Sequence, residues 1–234
     1  MKDFLLVVLS LPSVFDGEVE LLEGLFEAGL GKLHLRKPGV DVEGLLERLA
    51  PRWASRLVLH DQRELAVRYG IPQVHGAVEL RDGKRSGGGP FVGDVQGGGA
   101  AQSGAAGSGA AGSGVSMGVA VSTSVHSWEE FGVLPEGLAY AFISPLFDSI
   151  SKKGYMANKE LLRQPEEAGR LIGGGFAGRG FPCLPVGLGG IGVDTIGELL
   201  ERGWAGAAVL GAIWDEPRLA VGRYEELKKI IDGY

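Results

Sequence analysis

The sequence predicts an α/β protein, a single-domain (β/α)8 barrel, on three observations. Short apolar runs of strand length alternate with helical patterns along almost the whole chain. Eight strand signals occur, mostly separated by helices, which implies parallel crossovers. The length, 234 residues, is that of one barrel domain, so the unit spans residues 1–234.

The elements follow in order. Leu5 to Leu9 is a buried first strand, because the apolar run is too short for a membrane span and Asp3 spoils the basic start of a signal peptide. Val19 to Ala28 has helical periodicity. Lys32 to Leu35 is a strand and Val42 to Leu49 a helix; Arg56 to Leu59 is a strand and Glu64 to Tyr69 a helix. Pro72 to Val74 is a short fourth strand. A fifth runs from Gly118 to Ser122, with a helix from Ser127 to Phe131. Tyr140 to Ile143, Cys183 to Val186 and Ala207 to Leu210 complete the set, with helices over Lys159 to Leu171, Thr195 to Glu201 and Tyr224 to Ile231. Residues 86–118 break the rhythm. They are Gly, Ala and Ser with few large apolar side chains, including the tandem Ala105-Ala106-Gly107-Ser108-Gly109 and Ala110-Ala111-Gly112-Ser113-Gly114. Such a composition buries too little surface to offset ordering entropy, and predicts a flexible insertion at the fourth crossover.

Net charge is −6, which argues against a dedicated nucleic-acid binder. The sole cysteine, Cys183, excludes an internal disulfide and fits a cytoplasmic protein. No segment has the length of a membrane helix. Homo-oligomerisation is left open.

Four histidines, His34, His60, His75 and His126, fall at or just past the ends of predicted strands two to five. In a parallel barrel those ends share the face on which active sites are built. Their spacing matches no zinc signature, and imidazoles on successive strands need not converge, so a polar pocket is expected rather than a metal centre. Arg36 and Lys37 follow His34 and suit an anionic ligand, or form an exposed basic turn. Asp61 can ligate a divalent cation or cap a helix. Ser149, Ser151 and Lys152 follow strand six, where hydroxyls and an ammonium suit a diphosphate. Gly187-Leu188-Gly189-Gly190-Ile191-Gly192 follows strand seven and Leu210-Gly211-Ala212-Ile213 ends strand eight, the usual phosphate position in barrels. The first of these also matches G-x-G-x-x-G. A dinucleotide fold is disfavoured, because the next strand ends without an acidic residue before Asp215 and too little chain follows.

Together these segments resemble the thiamine phosphate synthase and TenI (thiazole tautomerase) family. The resemblance runs in order through Leu33 to Lys37, His60-Asp61, Val74-His75, Ser124-Val125-His126-Ser127, Ser144 to Lys152, Pro185 to Ile191 and Gly206 to Ile213. It implies a transferase with small phosphorylated substrates, which joins hydroxymethylpyrimidine diphosphate to thiazole phosphate with release of diphosphate. It further implies that Arg36, Ser149, Ser151 and Lys152 hold the diphosphate, that Asp61 binds Mg2+, and that Ser124 lines the pyrimidine pocket. Backbone of Gly189, Gly190, Leu210 and Gly211 would hold the thiazole phosphate. His34 and His60 stand where the family has Gln and Asn, Pro38 replaces a cation, and Leu80 replaces a second metal carboxylate, with Glu79 and Asp82 nearby. Three alternatives remain: a thiazole tautomerase using His126 for proton transfer, another barrel enzyme acting on a phosphorylated substrate, and a non-catalytic barrel that binds a phosphorylated ligand.

Overall fold

The computed structural model describes residues 4–86, 120–148, 157–162 and 181–234. Eight parallel strands close into a barrel in sequence order: β1 (Leu5–Leu9), β2 (Lys32–Leu35), β3 (Leu57–His60), β4 (Gln73–His75), β5 (Ala120–Val125), β6 (Leu138–Ile143), β7 (Leu184–Leu188) and β8 (Gly206–Val209). The described helices are α1 (Glu18–Glu27), α2 (Glu43–Trp53), α3 (Arg63–Arg68), α4 (Trp128–Gly132), α5 (Ile196–Glu201), α6 (Gly211–Trp214) and α7 (Ala220–Asp232). Closure joins β1 to β8, with Leu5 opposite Gly206 and Val8 opposite Val209. Trp214 Nε1 then donates to the carbonyl of Leu9 at 2.6 Å, tying the top of β8 to the top of β1.

Alternation along each strand divides the apolar residues into two layers. Leu6, Val8, Leu33, Leu35, Leu57, Leu59, Ala141, Ile143, Ala207 and Val209 belong to the larger core with the helices. Val7, Leu9, Tyr140, Phe142, Val186, Leu188 and Ala208 form a separate cluster inside the barrel. Each helix turns an apolar stripe to the sheet: α1 buries Val19, Leu22, Leu25 and Phe26, and its Glu20 faces solvent. Burying such a side chain contributes about 1.5–3 kcal/mol.

Most expected elements recur with shifted ends. The fourth strand lies one residue later, at Gln73–His75, and the closing helix starts earlier, at Ala220. Of the helix expected over Lys159 to Leu171, Lys159–Leu162 is a single 3-10 turn, and the rest lies outside the described residues. The Gly-rich segment, apart from Ser86, also lies outside them. Among the described residues, no helix is long and apolar enough to cross a membrane.

Candidate active site

The inward positions of β2 to β6 carry polar side chains, and these meet at the C-terminal end of the barrel. His34 on β2 is fully buried, His75 on β4 is buried, and His60 at the end of β3 is half-buried. Register puts His60 opposite His75 and His34 opposite Val58. His34 Nδ1 lies 3.0 Å from His60 Nε2, and His34 Nε2 lies 2.5 Å from the Tyr140 hydroxyl. His75 Nδ1 meets Ser122 Oγ and His75 Nε2 meets Ser124 Oγ, each at 3.0 Å.

Electrostatics fix the protonation of this group. Burial, then the neighbouring charges of His60, His75 and Lys32, holds His34 well below the usual imidazole range. Burial, followed by His75 and Arg36, does the same for His60. Burial and the Arg36 guanidinium push His75 down to about 3. Burial raises the Tyr140 phenol, which therefore keeps its proton. Each neutral imidazole has one N–H and one acceptor nitrogen. With a single N–H on His34, either the Tyr140 O–H donates to Nε2 while Nδ1–H donates to His60 Nε2, or both directions reverse. Two hydrogen-bonded strings result, one joining Ser124, His75 and Ser122 and the other joining Tyr140, His34 and His60.

Three of the four imidazoles meet in the expected polar pocket, and closely enough to revive the metal reading that their spacing disfavoured. Among the described residues they form a cluster of potential metal ligands, with one ring nitrogen from each within 4.8 Å of the others. Tyr140 and Ser122 were not anticipated as members. Their signal was present, since Tyr140 alternates with Phe142 on one face of β6 and Ser122 with Ser124 on β5.

His126 stands apart from this cluster. It is exposed just past β5, where its backbone N–H donates to Glu130 Oε2 at 2.8 Å, and Ser127 Oγ accepts the Glu130 N–H at 3.1 Å. This reciprocal capping of α4 fixes the turn. His126 Nδ1 donates to the Ser144 carbonyl at 3.1 Å, which leaves Nε2 as the basic nitrogen.

Asp61 ends β3 in the left-handed region at φ 57°, its N–H donating to the His75 carbonyl at 2.9 Å. A non-glycine residue in this conformation is uncommon. Its carboxylate is accommodated because residue 76 is Gly: a Cβ there would lie 2.7 Å from Asp61 Oδ1. Arg36 continues the inward face of β2 and is half-buried beside His60 and His75. Lys37 takes the opposite direction. It is buried, with Nζ 2.5 Å from Glu18 Oε1 and 2.7 Å from the Ser13 carbonyl. This corrects its expected ligand-binding role, because the ammonium is committed to a buried ion pair behind the strand. Asp82, considered as a second metal carboxylate, pairs with Lys84 at 3.0 Å, and Glu79 is exposed.

Gly189 and Gly190 follow β7 at φ 102° and 64°. A Cβ on Gly190 would lie 2.6 Å from the Asp148 carbonyl oxygen and 2.7 Å from Phe147 Cβ. The glycines thus let the loop after β6 cross the top of β7, where Phe147 N–H donates to the Gly189 carbonyl at 3.1 Å. Leu210 and Gly211 lie alongside, at the junction of β8 and α6. Ser149, Ser151 and Lys152 lie outside the described residues.

No protein-family model matches the chain, and no curated protein matches it. Solved structures do. Thiamine phosphate pyrophosphorylase from Bacteroides thetaiotaomicron is similar over 98% of both chains, at 27% identity and a TM-score of 0.63. The chain has a thiamine phosphate synthase/TenI-like fold. The same fold in thiamine phosphate pyrophosphorylase from Pyrococcus furiosus covers 98% of this chain and 96% of that one, at 18% identity and a TM-score of 0.62. Other barrel enzymes share the architecture: 3-hexulose-6-phosphate synthase matches 95% of this chain and 98% of its own at 14% identity, with a TM-score of 0.53. Within the thiamine phosphate synthase/TenI-like fold, Arg36, Asp61, Ser124, Gly189 and Gly211 all stand at the C-terminal ends of the strands or just beyond them.

Proposed function

We propose that the protein is a thiamine phosphate synthase-type transferase, which joins hydroxymethylpyrimidine diphosphate to thiazole phosphate and releases diphosphate. The observation that carries this reading is the likeness to the Bacteroides thetaiotaomicron pyrophosphorylase along 98% of both chains. The arrangement of the mouth supports it. Arg36 presents a guanidinium suited to bidentate phosphate contact. Ser124 sits half-buried at the end of β5, placed to line a heteroaromatic ring. Backbone at Gly189, Gly190, Leu210 and Gly211 would take the thiazole phosphate, at the strand ends where barrels commonly bind phosphate. Ser149, Ser151 and Lys152 would complete the diphosphate site.

Asp61 suits Mg2+, since its exposed carboxylate stands at the mouth and Mg2+ is held by one or two carboxylates together with substrate phosphate and water. When bound, the ion would neutralise charge on the departing diphosphate. The chain's own residues would orient the two substrates and exclude water, so that the bond from the pyrimidine methylene carbon to diphosphate oxygen breaks and the thiazole nitrogen captures the carbocation-like carbon.

A second reading rests on His126. With Nδ1–H given to Ser144, its Nε2 is disposed for proton transfer, as a thiazole tautomerase would require. One experiment separates them. Purified protein is mixed with both substrates and Mg2+, and thiamine phosphate is measured by fluorescence after oxidation. Mg2+-dependent turnover supports the transferase. Folded protein that yields no coupled product, but isomerises the thiazole carboxylate phosphate through His126, overturns it.

A further inference from the structure

The geometry points to a divalent transition-metal site of the zinc class, formed by His34, His60 and His75 inside the mouth of the barrel. This is a different centre from the carboxylate site at Asp61. Three features of the cluster carry the inference. One ring nitrogen from each histidine lies within 4.8 Å of the other two, and the His34 and His60 nitrogens already approach to 3.0 Å. Around a tetrahedral zinc ion, ligand nitrogens stand about 3.4 Å apart, so modest ring rotations would complete the set. The ligands also come from three adjacent strands of a closed barrel, which limits how far they can separate.

The surroundings supply the outer contacts that metal-bound imidazoles use. A histidine ligand normally gives its other N–H to a hydrogen-bond acceptor. If His34 binds through Nδ1, its proton stands on Nε2, where the Tyr140 oxygen accepts it. If His75 binds through either nitrogen, the remaining one keeps a serine partner, Ser122 or Ser124. No net proton is lost from His34, because coordination needs only that tautomer. The three rings are already neutral and ready to coordinate.

Imidazole ligands favour zinc, copper, nickel and iron over Mg2+ or Ca2+. Three neutral ligands leave the ion its full double charge and one open position. That position would face the mouth, on the side where His60 and Ser124 are half-buried, and Arg36 would draw an anionic oxygen towards it. Water or a phosphate oxygen is the expected fourth ligand.

The test uses the full chain stripped with a chelator and then titrated with Co2+ and Zn2+. Bound metal is measured by elemental analysis, and the visible spectrum of Co2+ reports four-coordinate geometry. One equivalent per chain is expected, with Zn2+ displacing Co2+. His34→Gln and His60→Asn retain polar side chains, and each should weaken binding by more than roughly a hundredfold. His126→Ala should leave binding unchanged. Tyr140→Phe keeps all three ligands and should cost about 10–100-fold. Should the histidine variants fail to fold, nitrogen NMR of the wild-type imidazoles keeps the question decidable, since Zn2+ must shift three rings. Substoichiometric metal, a Co2+ spectrum indifferent to His34→Gln and His60→Asn, or ring signals that do not move would each overturn the site.

Discussion

Replacing Lys37 by Met separates a structural cation from a ligand-binding one. Lys37 and Glu18 are buried together, with side chains 0% and 1% exposed, and Glu18 Oε2 has no hydrogen-bond partner. Removing the ammonium strands a carboxylate that already has little to accept from. Breaking a buried pair in this way costs about 3–5 kcal/mol. For a domain of this size that lowers Tm by roughly 6 to 20 °C. The pH dependence has a definite sign. Burial already raises Glu18 above its ordinary value, and loss of Lys37 raises it further. The folded variant then holds a proton that the unfolded chain releases, so its deficit is full well above the raised folded pKa and narrows as pH falls through it towards the unfolded value of about 4.5. The double variant Glu18→Leu/Lys37→Met should recover most of the loss, because neither charge is then buried. Urea denaturation at pH 8 and pH 5.5 measures all three proteins, and substrate KM is taken in parallel. Wild-type stability with a raised KM would refute the assignment and return Lys37 to the ligand.

Two further outcomes follow from the mouth of the barrel. In metal-free protein, His34, His60 and His75 are neutral when folded but titrate near 6.5 when unfolded. Stability is therefore full above that value and falls as pH drops below it, by about 2 kcal/mol at pH 5 from His75 alone, with His34 and His60 acting in the same direction; flat urea midpoints between pH 7.5 and 5 would contradict it. Gly190→Ala meets a positive φ and the Asp148 carbonyl together, so it should lower stability by about 1–3 kcal/mol and displace the loop after β6, checked by thermal melting and by proteolysis at 144–148.

The barrel was legible because its strands advertise themselves. Runs such as Leu5 to Leu9 and Tyr140 to Ile143 are short, apolar and bounded by polar turns, and each became a strand. The direction of Lys37 was also readable, since it follows the inward-facing Arg36 and alternation turns it away. Its partner was not, because Glu18 stands 19 residues earlier on a helix and nothing local links them. The four-residue helix α6 escaped notice because Gly211 reads as a turn. The histidines at strand ends were visible, but their meeting depends on inter-strand register, which no single strand encodes. Tyr140 shares a strand face with Phe142, but an aromatic residue in a strand reads first as core, which masks its hydroxyl. Only its place opposite His34 gives the hydroxyl a role.

Closure of the sheet through β1 and β8 has a consequence for synthesis. Leu5 N–H waits for the carbonyl of Ala205, and the Leu9 carbonyl for Trp214. While a ribosome is still making residues 200 onwards, the first strand has one free edge and the interior faces of Val7 and Leu9 have no roof. A nascent chain must protect that edge until β8 and Trp214 have emerged. Such long-range pairing makes closure a late and slow event. The demand on chaperones is therefore set by where in the message β8 is encoded, and slowing translation before it would lengthen the vulnerable interval.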